Sequence, residues 1–154
     1  MMILTIGDKQ MTKLTPEEIK SSLNQFTGSE QFHKFSVLFP RHVLSDGVKW
    51  LAENLDCYWL CDLVASYHGR CMKDPKNMLQ GMQFWTLTVH PPEERISRNG
   101  NPKPMAKVIC ERDTGDVAFK QKIPYTDFPL TSIKLYCAPS GDGVHYTIYL
   151  PSEH

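Results

Sequence analysis

Cys57 and Cys61 lie four residues apart, and His68 and Cys71 follow a short way along the chain. Residues four apart on a helix share a face, so thiols from one helix and donors just past its end could together ligate zinc. Zinc sites more often draw their pairs from tight knuckles, whereas Cys57 and Cys61 flank Tyr58, Trp59 and Leu60. Thiols in an apolar helix are ordinary core residues, and that is the preferred reading. Cys57, Cys61, His68 and Cys71 therefore stand only as weak metal candidates, with no metal or other cofactor expected.

Nucleophilic and acid–base chemistry find less support. No Gly-x-Ser-x-Gly elbow occurs, and the six histidines at 33, 42, 68, 90, 145 and 154 fall in no catalytic motif. Asp46 reads as a helix cap and Asp127 as part of a side-chain-closed turn in Tyr125-Thr126-Asp127-Phe128-Pro129. The expectation leans away from an enzyme. Basic residues offer a different chemistry: Arg95, Arg98, Lys103 and Lys107 on the 91–105 loop and its exit could clamp phosphates. No aromatic residue lies between Arg95 and Lys107 to stack a base, so nucleic acid is an alternative and not the favoured partner. Trp50 and Trp85 complete the candidate set, because indoles left outside a core favour protein interfaces.

These residues need a frame. In Leu14-Thr15-Pro16-Glu17-Glu18-Ile19, Thr15 can cap a helix, Pro16 suits its first position and Glu18 closes a capping box. The spacing of Ile19, Leu23 and Phe26 extends that helix over about 16–26, with Gly28 as a stop. Phe32–Val37 and His42–Leu44 read as short extended pieces broken at Pro40. Ser45-Asp46-Gly47 then precedes a second helix over about 47–54, and Tyr58 to Tyr67 form a third.

Beyond residue 80 the period changes to alternation. Met82–His90, Ala106–Arg112, Val117–Ile123, Ile133–Ala138 and Val144–Leu150 are expected strands, with tight turns at Asp113–Asp116 and Pro139–Gly143. Alternation sends Phe84 and Trp85 to opposite faces, and the inward set is expected to be Val108, Cys110, Val117, Phe119, Leu135, Cys137, Tyr146 and Ile148. The predicted fold class is α+β, with about three N-terminal helices packed on one face of a four- to five-stranded antiparallel meander. Residues 1–154 form one domain in this reading, with a lead-in at 1–13 and a protruding, mobile loop at 91–105.

The totals fit such a domain. The chain has 154 residues, 41% of them hydrophobic, and carries 17 basic against 17 acidic side chains. Nine of each sign lie before residue 81 and eight of each after it, so neither half is an electrostatic arm. That balance argues against a general nucleic-acid binder. Met1–Ile6 is too short for a secretory signal or a membrane span, and five scattered cysteines fit a reducing compartment, so a cytoplasmic address is expected.

The chain also resembles an uncharacterised family of small bacterial, plasmid and phage proteins, a domain of unknown function. The stretches that carry the resemblance include Gln25-Phe26-Thr27-Gly28-Ser29-Glu30, Asp46-Gly47-Val48-Lys49-Trp50-Leu51-Ala52-Glu53 and Tyr58-Trp59-Leu60-Cys61-Asp62. Ala65-Ser66-Tyr67, Phe84-Trp85, Tyr125–Leu130 and Leu150-Pro151-Ser152-Glu153 continue it to the end of the chain. The resemblance implies a mobile-element setting and brings no activity or site residue with it. The expected function is a non-enzymatic, protein-binding module, a phage or mobile-element accessory or counter-defence protein; no membrane partner is expected, and an uncovered sheet edge would invite homo-oligomers.

Overall fold

Thr15 starts the first helix as its side chain demands: its hydroxyl accepts the Glu18 N–H and the Glu18 carboxylate accepts the Thr15 N–H. Helix α1 runs Pro16–Leu23 and buries Ile19 and Leu23. It stops three residues before the expected end, because Gln25 and Phe26 donate to Ser22 and Leu23 in a tightened last turn instead of continuing the ladder. The computed structural model describes residues 14–28, 30–71 and 81–154, so the lead-in at 1–13 lies outside the described residues.

Helix α2 (Asp46–Asn54) is capped by Ser45, whose Oγ accepts the Val48 N–H. Asp46, expected to share the capping, instead accepts the Glu30 N–H and pairs with His33 at 2.8 Å. A left-handed Asp56 (φ 51°) then turns the chain into helix α3 (Tyr58–Cys71). Asp tolerates that conformation because its short polar side chain bonds locally.

The strands are β1 (His33–Lys34), β2 (His42–Leu44), β3 (Gln83–Val89), β4 (Ala106–Asp113), β5 (Asp116–Ile123), β6 (Ser132–Pro139) and β7 (Tyr146–Tyr149). Among the described residues they form one seven-stranded sheet in the order β1-β2-β7-β6-β3-β4-β5. The α+β class therefore stands, while the four- to five-stranded antiparallel meander does not. Strand β6 leaves β5 and pairs with the far side of β3, and β2 joins β7 in parallel.

The reason lies in what each strand can bury. β5 carries Lys120, Gln121 and Lys122, all exposed, and such a strand belongs at an edge. β3 buries Trp85 and Leu87 fully and needs neighbours on both sides. His42-Val43-Leu44 is buried at all three positions, which an isolated extended piece could not sustain.

One apolar cluster joins Ile19, Leu23, Val48, Leu51, Leu60 and Val64 of the helices to Leu44, Trp85, Leu87, Val108, Leu135 and Ile148 of the strands. By register those strand residues share one face of the sheet. Of the expected inward set, Val108, Cys110, Leu135, Cys137 and Ile148 are buried, Phe119 and Tyr146 are half-buried, and Val117 is exposed. Val117 escapes because register shifts between Cys110 and Asp113 displace the end of the β4–β5 hairpin.

The C-terminus locks onto this layer. The Glu153 carboxylate accepts from Ser45 Oγ at 2.6 Å, from Gly47 N–H at 3.1 Å and from Leu150 N–H at 2.9 Å. A carboxylate at a helix N-terminus meets the positive end of the backbone dipoles. Gly47 makes the approach possible: a Cβ there would lie 2.6 Å from a Leu150 methyl and 2.7 Å from the Glu153 oxygen.

Candidate functional site

Strand alternation gives the second face of the sheet its own pattern, and the registers align it into rows. One row is aromatic: Phe84 on β3 stands opposite Tyr136 on β6, which stands opposite Tyr149 on β7. The rings meet edge to face, with centroids 5.1 Å and 5.7 Å apart, and His154 stacks on Tyr149 at 5.8 Å. The next row runs Lys120, Ile109, Thr86, Lys134, and the one after it Lys122, Lys107, Thr88, Ser132.

All four of these lysines are exposed, and none forms an ion pair among the described residues. Lys107 stands directly opposite Lys122, a placement of like charges that costs stability in a sheet. The acidic residues towards the β4–β5 turn, with Glu111 opposite Phe84 in the aromatic row, are engaged locally. Glu111 accepts the Gly115 N–H, Asp113 accepts the Thr114 N–H, and Asp116 takes a two-pronged bond from Arg112 at 3.0 Å on each oxygen.

Towards the β1 edge the face is indented. Two depressions of about 310 Å³ and 430 Å³ meet at Phe32 and Thr147, the second also lined by Lys34. Phe32 is 58% exposed between them.

The residues singled out by sequence are distributed unevenly around this face. Lys107 is on it. Arg98 and Lys103 sit on the 91–105 loop, which leaves from the end of β3 and returns at the start of β4, beside Lys107. That loop is folded back on itself: Pro92–Glu94 form a 3-10 turn, Ile96 bridges Pro102, and Lys103 N–H donates to Arg95 O at 2.8 Å. Arg95 serves it internally, its Nε donating to His90 O at 2.9 Å.

Trp85 is corrected to the interior. It is 2% exposed, its indole N–H donates to Gln83 Oε1 at 2.9 Å, and Phe84 takes the outer position. Trp50 is half-buried against Phe26, with centroids 6.2 Å apart, on the helical side. The turn at 125–129 is closed by Thr126, whose Oγ1 accepts the Phe128 N–H, where Asp127 was expected.

The thiols and histidines divide into two groups. Cys57 and Cys61 are buried core residues, and Cys57 leans its thiol on Leu51 O. Burial pushes the Cys57 thiol up to about 12, with Asp56 adding to the shift, and raises Cys61 further. Cys71 closes α3, and its side chain lies outside the described residues.

His68 joins a different set. Its Nδ1 is 2.8 Å from Nε2 of His42, and the donor atoms of His42, His68 and Cys137 all lie within 4.8 Å of one another. All three residues are buried, and Tyr146 packs over both rings with centroids 4.5 Å from His68 and 5.8 Å from His42. Desolvation lowers the His42 pKa to about 4, so its ring is neutral at pH 7. Spacing offered no sign of this trio, because its members come from β2, α3 and β6.

The family model for a family of unknown function, DUF6876, matches residues 17–154. The chain belongs to that family. The matched residues thus span all of α1 but Pro16, β1 to β7 and the C-terminal lock. Neither the curated proteins nor the solved structures contain a match. No helix among the described residues is long and apolar enough to cross a membrane.

Proposed function

We propose that the protein is a non-enzymatic binding module whose open sheet face holds single-stranded nucleic acid. The observation that carries this reading is the arrangement in rows: a three-ring aromatic row followed by two successive rows bearing four lysines with no ion pair among the described residues. Aromatic rings accept any base by stacking, while lysines neutralise phosphates and release counterions. The Lys107–Lys122 opposition supports an anionic occupant, since a phosphate between two ammonium groups turns their repulsion into attraction. Arg98 and Lys103 extend the cationic surface past the end of the sheet. In this reading the basic loop contributes to the face instead of acting alone.

Fluorescence anisotropy with labelled oligo-dT and oligo-rU tests the reading. With four lysine–phosphate contacts, log K falls against log salt with a slope of about −3, and Lys107→Ala with Lys122→Ala brings it to about −1.5. Tyr136→Ala weakens binding by about 1–3 kcal/mol if a base stacks there. No anisotropy change at low salt, for either polymer, overturns the proposal.

A second reading keeps a protein partner, and one observation favours it. Leu38, Phe39, Trp59, Leu63, Phe119 and Ile123 line a groove of about 470 Å³; Leu38 is 78% exposed and the adjacent Val37 95%. In that reading the module is a mobile-element accessory that docks an apolar segment of a host protein. A stoichiometric partner recovered by wild type and lost with Leu38→Asp supports it; a partner retained by that variant rejects it.

A further inference from the structure

We propose that His42, His68 and Cys137 form a buried binding site for a single thiophilic, closed-shell cation, Zn²⁺ or Cu⁺. Three elements far apart in sequence supply the donors: β2, α3 and β6. The parallel β2–β7 pairing and the antiparallel β7–β6 pairing bring His42 and Cys137 to the same side of the sheet, and α3 lays His68 against them.

The donor chemistry selects the ion. Two imidazoles and one thiol are borderline-to-soft ligands, and no carboxylate belongs to the cluster among the described residues. Mg²⁺ and Ca²⁺ require oxygen donors, so they are excluded. Zn²⁺ and Cu⁺ accept this set. Metal–nitrogen bonds of about 2.0–2.1 Å and a metal–sulfur bond of about 2.3 Å place the donors roughly 3.3–3.8 Å apart. The two nitrogens must therefore part by roughly half an ångström from their 2.8 Å contact, and the sulfur, within 4.8 Å of both, must close by at most about an ångström.

Loading balances simply. The Cys137 S–H bond breaks, its proton leaves to solvent, and sulfur bonds the ion; the proton shared between the rings moves to the far nitrogen of the ring that donated it. With a thiolate, Cu⁺ leaves the cluster neutral and Zn²⁺ leaves it with one positive charge. Burial of net charge is costly, so Cu⁺ is expected to bind more tightly.

The test uses the full chain, stripped with chelator and reduced, then offered Zn²⁺ in one arm and Cu⁺ under anaerobic conditions in the other. The expected result is one equivalent of metal per chain in at least one arm, with a raised melting temperature. Cys137→Ser and His42→Gln, each shown folded by circular dichroism, lose that equivalent, while the Cys57→Ser, Cys61→Ser double variant keeps it. Co²⁺ as a spectroscopic stand-in shows a thiolate charge-transfer band that vanishes in Cys137→Ser. Failure of the wild type to retain either ion, or retention by the folded Cys137→Ser variant, overturns the assignment.

Discussion

His42 gives the folded protein a pH dependence. Its pKa falls from 6.5 to about 4 because a charged imidazolium cannot be hydrated where it sits. The unfolded chain therefore binds a proton that the native state refuses between those values, and stability drops as pH falls from 6.5 towards 4. The linkage is at most about 3 kcal/mol. Urea midpoints of the metal-free protein at pH 7.0, 5.5 and 4.5 are expected to decline in that order, and His42→Phe flattens the decline. Equal midpoints in the wild type contradict a neutral buried ring.

Glu153 and Gly47 are the residue-scale counterpart at the C-terminus. Glu153→Ala leaves the Ser45 hydroxyl and two backbone N–H groups without their acceptor, at a cost of about 1–3 kcal/mol. Gly47→Ala pushes a methyl into Leu150 and the same carboxylate, costing about 1–3 kcal/mol. Thermal melts of the two single variants and their double are expected to be non-additive, because both disturb one contact.

At the scale of elements, local chemistry was legible and long-range pairing was not. The Thr15 capping box, the Ser45 cap and the turn at Thr114-Gly115 each rest on residues within four positions of one another, and the structure contains all three. Strand positions in the second half were readable from alternation for the same reason. Strand order was not, since a hairpin-rich sequence reads naturally as a meander, and nothing local marks β6 as the partner of β3. The parallel β2–β7 pairing and the His42–His68–Cys137 cluster depend on that order and stayed hidden with it.

Phe84 and Trp85 show what alternation could and could not decide. It placed them on opposite faces, but only the sheet order decides which face meets the helices. Trp85→Ala is expected to cost about 3–5 kcal/mol, as for any large core side chain, and Phe84→Ala much less. Chemical denaturation distinguishes them; a large loss from Phe84→Ala alone would contradict the described faces.

For the whole molecule, a formal charge of zero conceals a local gathering of lysines. Dividing the chain by sequence gave equal halves, whereas folding sorts Lys107, Lys120, Lys122 and Lys134 onto one sheet face. Alternation makes this possible, because every second residue of β4, β5 and β6 is turned away from the core. Whole-chain charge is thus a poor guide to the surface a ligand meets. Among the described residues both sheet edges are also of a kind that resists strand-to-strand association: β1 has two residues and β5 is lysine-rich.

An anionic strand lying across that face would shield its lysines from solvent. Lysine acetylation read by mass spectrometry, with and without saturating single-stranded oligonucleotide, measures it directly. Labelling of Lys107, Lys120, Lys122 and Lys134 is expected to fall several-fold while Lys20 and Lys49 on the helices label as before. Unchanged labelling of the four sheet lysines, or protection centred on the helical pair, would contradict it.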